Sequence, residues 1–350
     1  MEMGGAFRYN LAYSFIPRKP ALVARLASNT IRAKVLGKRV LRYIDVCVST
    51  RCNLRCAHCF ASSFTEGSTP PLSLDEWGEV ARQCMALGAA SFGITGGEPL
   101  LFEDLVVLVR RLSPWKNLIA INTNGTLLTN GMAKELYKEG VDVIQLSMDS
   151  LDPAEHDKFR NKNGVLEKVI DAVEIARANK LKVTLVCTVS HRSVRTAGVQ
   201  GVVQFARERG LLMILSRATP AGEWLGRRDI LLSQEDQEFM YDLVRRNAHV
   251  RTDMDTNFGP YGCSAGSEKL YVTPHGAVIP CPFMHIQFGN VRQDTIRTIR
   301  DRMLSVERLG SYCHTCHVAE DREFIENILC ATFQQKKVAD WTDCFPTNKQ

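Results

Sequence analysis

The sequence predicts an α/β fold: a mostly parallel sheet, either open or curled into a partial barrel, followed by a small cysteine-rich region. Six short runs rich in Val, Ile and Leu alternate with longer helical segments, which is the order of consecutive βαβ units. The chain has 350 residues, of which 45% are apolar and 23% charged, enough for one large domain and a small one. Residues 255–317 are rich in Gly, Pro, Cys and His, and small regions of this kind are often held together by metal.

The chain begins with a basic leader. Residues 1–44 hold nine Lys or Arg and one acid, whereas residues 45–350 hold 35 basic and 37 acidic residues, so the whole positive excess lies in the leader. Apolar residues from Leu22 to Leu36 recur at roughly helical spacing and predict an amphipathic basic helix after Pro20. Two interpretations stay open, an interfacial helix on anionic lipid or a helix that caps the body with its charges in water.

The elements of the body follow in alternation. The predicted strands are Tyr43–Val48, Ser91–Thr95, Leu118–Asn122, Val143–Ser147, Lys182–Val189 and Leu211–Ser216, with short later pieces at Lys269–Val272 and Gly276–Ile279. The predicted helices are Leu74–Leu87, Phe102–Leu112, Gly131–Lys138, Leu166–Asn179, Val199–Arg209 and Gln234–Ala248. We therefore divide the chain into a leader (1–41), a parallel α/β domain (42–232), a linking helix (233–254) and a cysteine-rich domain with its tail (255–350).

The role of the cysteines depends on the cellular compartment in which the protein is located. The sequence has no run of about 18 uncharged apolar residues that could span a membrane, and its amino terminus lacks the pattern of a secretory signal. We expect a cytoplasmic, reducing location, with contact to the membrane surface through the leader as an option. There, twelve cysteines are expected to be metal or cluster ligands rather than disulfides. Cys47, Cys84 and Cys187 have no partner at ligand spacing and are expected in the core.

Three cysteines follow the first predicted strand directly. Cys52, Cys56 and Cys59 are spaced as CxxxCxxC, and three thiolates on one loop can hold three corners of a [4Fe–4S] cube while one iron stays open. The alternative is a zinc site completed by His58, although zinc spacing usually takes the form of paired CxxC or HxxxH units.

Motifs at the ends of the next strands add to this pattern. Gly96-Gly97-Glu98-Pro99 follows the second strand, Thr123-Asn124-Gly125 the third, and the fourth ends in QLSMDS. Together with CxxxCxxC, these four elements in this order resemble the radical S-adenosylmethionine (radical SAM) superfamily over about residues 42–216. The resemblance implies a (β/α)6 partial TIM barrel, in which an iron–sulfur cluster on Cys52, Cys56 and Cys59 binds SAM. It also implies that SAM is held at the strand ends by Gly96, Gly97, Glu98, Asn124, Ser147 and Asp149, where Glu98 receives the methionine ammonium.

A second group of cysteines resembles the SPASM and twitch auxiliary-cluster modules. Cys263 and Cys281, with Gly276 between them, are followed by the CxxC pair Cys313 and Cys316. The resemblance implies one auxiliary [4Fe–4S] cluster with four protein ligands. A second auxiliary cluster that uses Cys330 and Cys344 stays an alternative, as do a zinc ribbon for the foursome and a hydrogen-atom donor role for Cys330 or Cys344.

The resemblance implies an enzyme that cleaves SAM to a 5′-deoxyadenosyl radical and removes a hydrogen atom from its substrate, with the auxiliary cluster transferring an electron. The 44-residue leader is short for a peptide-recognition domain, so we expect a small-molecule, sugar or lipid substrate and a flavodoxin- or ferredoxin-type electron donor, and no nucleic acid. A maturase of ribosomal peptides and a zinc-stabilised nucleic-acid-binding module are the alternatives. Candidate substrate contacts at the last strand end and the domain junction are Arg217, Glu223, Arg227, Asp255, Asn257 and Tyr261, of which Arg217, Asp255 and Tyr261 are candidate catalytic residues.

Overall fold

The computed structural model describes residues 16–64, 69–254, 262–333 and 338–345. Its strands are β1 (Tyr43–Cys47), β2 (Ser91–Thr95), β3 (Leu118–Thr123), β4 (Val143–Ser147), β5 (Lys182–Val189), β6 (Leu212–Arg217), β7 (Val250–Thr252), β8 (Lys269–Val272), β9 (Val278–Ile279), β10 (Ile286–Gln287) and β11 (Ala339–Asp340). Nine of them form one sheet in the order β7-β6-β5-β4-β3-β2-β1-β8-β9, and β10 pairs with β11.

The large sheet is a partial barrel. Its strands are parallel except β9, which runs antiparallel to β8, and in the described part of the chain β7 and β9 are its open edges. The six strands predicted for the body are confirmed to within one residue at each end. These strands could be predicted from the sequence because strands buried in a parallel sheet appear as nearly continuous apolar runs.

The sheet continues across the predicted boundary of the cysteine-rich domain. Strand β8 lies beside β1 in parallel register, with Tyr43 opposite Lys269 and Asp45 opposite Tyr271. Strand β7 extends the other edge and was not predicted, because three residues are too few to show a period. The cysteine-rich region therefore shares a hydrogen-bonded ladder with the first strand of the body.

The helices are α1 (Pro20–Lys34), α2 (Leu74–Ala86), α3 (Leu105–Arg111), α4 (Asn130–Lys138), α5 (Pro153–Arg160), α6 (Val165–Ala178), α7 (Ala197–Arg209), α8 (Gln234–Arg246), α9 (Ile296–Ser305), α10 (Glu307–Gly310), α11 (Arg322–Asn327) and α12 (Trp341–Cys344). Helix α2 begins with a capping box, in which Ser73 and Glu76 each accept the other's backbone N–H. Helix α5 was not predicted, because its eight residues are mostly polar and show no apolar period. Within the described ranges, no helix is both long and apolar enough to cross a bilayer.

The leader helix α1 lies across the amino-terminal ends of β2 and β3, and the two residues before it reach the amino-terminal end of β4. Just before it, the fully buried ammonium of Lys19 donates to Asn117 O at 2.9 Å, to Gly140 O at 2.7 Å and to the Asp142 carboxylate. Arg18 pairs with the same carboxylate at 3.0 Å. Burial lowers the pKa of Lys19 to about 8, against the raising effect of Asp142. The predicted helix is confirmed, but the expectation that the leader keeps its charges in water is wrong for Lys19.

Candidate functional site

The three cysteines of the CxxxCxxC loop lie at the carboxyl end of β1. Cys52 is exposed, and Cys56 and Cys59 are half-buried. The guanidinium of Arg160 donates to Cys56 Sγ at 3.7 Å, and the Leu54 N–H donates to Cys52 Sγ at 3.4 Å. Burial raises the pKa of Cys52, against the lowering effect of the Leu54 N–H, and raises the pKa of Cys59 to about 11. The thiolate form that binds iron would therefore be held by the metal itself.

Two glycines bring the end of β2 against the cysteine loop. A Cβ added to Gly96 would lie 2.3 Å from Ser49 O, and one added to Gly97 would lie 2.1 Å from Arg51 O. The Gly97 N–H donates to Ser49 O at 2.7 Å, and the Glu98 N–H donates to Arg51 O at 2.8 Å. Glycine is therefore required at both positions, because a side chain would push the two loops apart.

The Glu98 carboxylate is buried at this junction and accepts three hydrogen bonds. Its Oε1 accepts from Thr123 Oγ1 at 2.6 Å and from the Leu100 N–H at 3.0 Å, and its Oε2 accepts from the Asn124 N–H at 2.8 Å. Burial raises the pKa of Glu98, although these donors oppose the effect. A carboxylate offers about four lone-pair positions, so one on Oε2 stays free to receive a ligand's ammonium.

Asn124 connects β3 to the cysteine loop. Its Nδ2 donates to Asn53 Oδ1 at 2.9 Å and lies 4.0 Å from Cys52 Sγ. Its Oδ1 accepts from the Thr126 hydroxyl at 2.6 Å, which fixes the orientation of the amide. The TNG residue proposed from sequence thus lies next to both Glu98 and the first cysteine.

Asp149 and Arg160 form the opposite wall. Ser147 ends β4, and two residues later the buried Asp149 pairs with Arg160 at 2.5 Å. Burial opposes ionisation, but the neighbouring Arg160 guanidinium lowers the pKa of Asp149. Because the same guanidinium also contacts Cys56, it links the cysteine loop to the end of β4.

The His58 ring packs against two other aromatic rings. Its ring stacks on Phe159 with centroids 4.2 Å apart and lies 5.7 Å from the Trp224 ring. Burial lowers the pKa of His58 to about 3, so the imidazole is neutral at any working pH. This packing gives His58 a role in the wall beside Cys59.

Three of the four cysteines proposed for an auxiliary cluster share one cavity beside β8, and Cys313 is not among the described residues that line it. Cys263, Cys281 and Cys316 line one cavity of about 50 Å³, and the Cys263 N–H donates to Cys313 O at 2.7 Å. Burial, with the charges of Cys281 and Cys313, raises the pKa of the Cys263 thiol to about 12. A shared cavity lined by thiols fits an iron–sulfur cluster, whose metal holds cysteines as thiolates.

Cys330 and Cys344 lie elsewhere. Cys344 ends α12 and is buried, and Cys330 lies in the preceding short turn close enough to contribute to the raised pKa of Cys344, about 11. The described residues that line the auxiliary cavity include neither of them. Cys47, Cys84 and Cys187 are fully buried, in the core positions predicted for them.

Arg217 braces the auxiliary loop against the barrel. Its guanidinium, fully buried at the end of β6, donates to Glu320 Oε1 at 2.7 Å, Asp253 Oδ1 at 2.8 Å and the Tyr241 hydroxyl at 2.9 Å. Glu320 Oε2 in turn accepts the Cys316 N–H at 2.6 Å. The structure thus gives this candidate catalytic residue a positioning role, through an acid that sequence reasoning missed.

The other candidate substrate contacts are dispersed. Arg227 is exposed and pairs with Asp229, and the Glu223 N–H donates to Cys59 O at 3.0 Å while its side chain is exposed. Asp255, Asn257 and Tyr261 lie outside the described residues, so their proposed roles stay predictions.

An ion pair that the sequence analysis did not select joins β8 to β1, with its carboxylate buried and its ammonium half-buried. Lys269 Nζ contacts Asp45 Oδ2 at 3.0 Å and also lines the auxiliary cavity. Burial opposes its charge, but Asp45, Cys281 and Asp253 raise the pKa of Lys269. The available signal was Asp45 itself, a carboxylate inside a strand that otherwise reads Tyr, Ile, Val and Cys.

Two families match this chain. Residues 46–193 match the radical SAM superfamily, and residues 263–317 match SPASM, an iron–sulfur cluster-binding domain. The first match ends before β6, and the second spans Cys263, Cys281, Cys313 and Cys316.

Within the aligned regions, three curated relatives are identical to this chain at about a quarter to a third of the positions. A GTP 3′,8-cyclase of Marinobacter nauticus is 30% identical over 245 residues, which cover 68% of this chain and 73% of that protein. A GTP 3′,8-cyclase of Rhizobium leguminosarum bv. trifolii is 32% identical, and the alignment covers 53% of this chain and 54% of that protein. An AdoMet-dependent heme synthase of Methanosarcina barkeri is 23% identical over 76% of this chain and 85% of its own length.

Solved structures share the fold. The enzyme anSMEcpe with bound AdoMet superimposes with a TM-score of 0.62 at 21% identity, over 84% of this chain and 95% of that one. Streptococcus suis SuiB bound to its precursor peptide SuiA gives a TM-score of 0.59 at 18% identity, over 78% and 67% of the two chains. The likeness covers both the sheet and the region after it.

Proposed function

Because the chain belongs to the radical SAM superfamily and carries a SPASM iron–sulfur domain, we propose that it abstracts a hydrogen atom from a small-molecule, sugar or lipid substrate. SAM, a SAM-binding [4Fe–4S] cluster and an auxiliary [4Fe–4S] cluster are the cofactors that these domains imply. When bound, they supply the 5′-deoxyadenosyl radical that starts the reaction.

The convergence of four strand ends on one cysteine loop carries the proposal. Cys52, Cys56 and Cys59 would hold the SAM-binding cluster. The free acceptor position of Glu98 suits the ammonium group of the methionine part of SAM. Arg160, which already donates to Cys56 Sγ, offers a cation for the carboxylate of SAM. These residues come from β1, β2 and the segment after β4, and the sheet brings them together.

The substrate we favour is small and polar. Two of the curated relatives are named for GTP and for heme, which are small molecules. Inside the barrel, the Tyr43 hydroxyl lies over Gly93, where an added Cβ would be 2.0 Å away, and is hydrogen-bonded to Asp45 and Asn122. Together with Lys269, these groups make a polar wall between the two cysteine groups, and such a wall suits hydroxyl, amide or ionic groups.

We propose an electron-transfer role for the auxiliary site. Its four cysteines can satisfy all four irons, so no iron is left to bind substrate, and electron exchange with a substrate radical is the simplest use. A flavodoxin- or ferredoxin-type donor in a reducing cytoplasm would supply the first electron. Whether the net reaction is oxidation, epimerisation or bond formation then depends on the direction of that exchange.

Anaerobic assay of 5′-deoxyadenosine tests the proposal. The full chain is incubated with SAM and dithionite, and we expect 5′-deoxyadenosine to form and to rise when a polar metabolite extract containing the substrate is added. A variant with Cys52, Cys56 and Cys59 all changed to Ala should lose this activity and keep about four of about eight irons. Cys84→Ala, in the core of α2, is the matched control and should keep both. Absence of 5′-deoxyadenosine from iron-replete wild-type protein would overturn the proposal.

A peptide maturase is the second candidate, favoured by the fold shared with SuiB bound to its precursor peptide. The two candidates differ in the fraction of the host extract that stimulates 5′-deoxyadenosine formation. Stimulation by the fraction below about one kilodalton supports a small molecule. Stimulation by the larger fraction alone, lost after protease treatment, supports the maturase instead.

A further inference from the structure

The leader helix α1 has two distinct faces. Its inner face is tied to the body: Leu22 is fully buried, Arg25 donates to Ala89 O at 2.6 Å and Asn29 donates to Gly88 O at 2.6 Å. These bonds run to backbone carbonyls at the amino-terminal end of the barrel, so the inner face is fully used in the fold.

The outer face carries an exposed apolar stripe. Pro20, Ala24, Ala27, Ile31 and Val35 are all exposed, and their spacing of four, three, four and four residues places them along one side of a helix. Ile31 is 54% exposed and Val35 is 74% exposed. The stripe thus points away from the body.

Large apolar side chains are concentrated here. In the described ranges, five of them are exposed, and three lie within six residues, namely Ile31, Val35 and Leu36 at 57%. A fourth, Trp115, lies on the short turn against which α1 packs, with its ring 5.8 Å from the Arg18 guanidinium. Isolated exposed apolar residues are ordinary, whereas a group of them marks a contact surface.

The charges that the leader segment itself carries are of one sign. Residues 16–44 contain eight Lys or Arg and no Asp or Glu. Three of these basic residues, Arg18, Lys19 and Arg25, are bonded to residues of the body. Three others, Lys34, Lys38 and Arg39, are exposed at the end of the helix, near Val35 and Leu36. An apolar stripe flanked by cations matches the chemistry of an anionic bilayer surface, with acyl chains below and phosphates above.

We infer that this outer face of α1, extended by Val35 and Leu36, docks the enzyme on anionic lipid. The inference rests on the exposed stripe and its charge and is independent of the proposed reaction. Because α1 covers the amino-terminal ends of β2 and β3 while the cysteine loop follows the carboxyl end of β1, docking leaves the open end of the catalytic site facing away from the bilayer. The surface therefore attaches the enzyme to the membrane and does not deliver a lipid substrate to the SAM site.

Vesicle flotation tests the docking. The full chain is mixed with vesicles of phosphatidylcholine alone or of phosphatidylcholine with about 40% phosphatidylglycerol, at low and at high salt. We expect flotation with phosphatidylglycerol and a decline as salt rises, because charged lipid attraction is screened within a Debye length. An Ile31→Ser/Val35→Ser/Leu36→Ser variant should stay at the bottom. Lys34→Gln/Lys38→Gln should bind roughly 30-fold more weakly, at about fivefold for each basic residue removed.

The controls separate docking from misfolding and from other partners. Lys134→Gln/Lys168→Gln makes the same charge change at exposed positions of α4 and α6 and should float like wild type. All variants should keep wild-type iron content and 5′-deoxyadenosine formation, because none of the changed residues lies in the catalytic site. Equal flotation of the wild type and the Ile31 variant overturns the inference. So does a wild-type dimer that this variant splits in light scattering, since the face would then belong to a second copy.

Discussion

The substitution Glu98→Gln tests most directly whether the Glu98 carboxylate binds the ammonium group of SAM. The carboxylate accepts three hydrogen bonds, two on Oε1 and one on Oε2. Glutamine keeps one carbonyl oxygen, which can serve Thr123 and Leu100, and puts an NH2 where Oε2 faces the Asn124 N–H. The variant therefore loses both the negative charge and the free acceptor that we assign to the SAM ammonium.

The size of the effect follows from that single contact. A hydrogen bond to a charged group contributes about 1.5–3 kcal/mol net, so the Kd for SAM should rise about 10- to 150-fold. The burial of Glu98, at 2% exposed, argues for the upper half of this range, because solvent cannot replace the lost partner. The raised pKa of Glu98 gives the same direction: SAM affinity should fall as pH drops, as the carboxylate takes up a proton.

Anaerobic calorimetry on the iron-replete protein measures the effect. Glu103→Gln is the matched control, since Glu103 is an exposed acid on the same loop and lines the same surface cleft as Glu98. Its Kd should equal that of the wild type. A Glu98→Gln protein with full iron content and a Kd within twofold of wild type would refute the assignment of the free Oε2 position to SAM.

Three further predictions concern buried charges. Glu320→Ala leaves Arg217 without its main partner and should cost about 3–5 kcal/mol in denaturant unfolding of the holoprotein, while an unchanged midpoint contradicts the bracing role. Lys269→Met removes the cation beside the auxiliary cavity and should lower the midpoint potential of that cluster in an EPR redox titration, with Lys269→Arg restoring it. The folded pKa of Lys19, about 8 against 10.5, means that the unfolded state holds the proton longer. The stability of the wild type relative to Lys19→Met should therefore rise between about pH 8 and 10.5, by no more than about 3 kcal/mol, and a flat difference contradicts the burial of this ammonium.

The sequence predicts the parts of this protein whose signal is local. A strand of a parallel sheet is a run of apolar residues, and a cluster loop is three cysteines within eight positions, so both can be recognised within short windows. Helix α5 shows the limit of that approach, because its start is marked by Asp152, which caps Glu155 N–H, and by Pro153, while its polar composition hides the helix itself. Short polar helices of this kind show their capping residues but no apolar period.

The pairings across the chain had no such signal. Arg217 and Glu320 are 103 residues apart, and only the fold brings them together. From sequence, Arg217 was a charged residue at a strand end, which is typical of a substrate contact. In the structure it donates to Glu320, Asp253 and Tyr241 and so holds these residues in place. Lys19 was counted only in the positive charge of the leader for the same reason, since no residue near it in sequence indicates its pairing with Asp142.

Two ties hold the auxiliary site at a set distance from the SAM site. The first is the ladder between β1 and β8: β1 leads into the loop of Cys52, and β8 leads through β9 to Cys281. The second is the buried chain from Arg217 through Glu320 to the Cys316 N–H. Backbone pairing and a buried ion pair resist displacement far more than a flexible linker does. The electron transfer that we propose between a bound substrate and the auxiliary site would therefore need no domain movement. A substrate in this gap would lie against the pair of Lys269 and Asp45, and for that reason this pair, rather than the dispersed surface candidates, is where we expect substrate selectivity to be set.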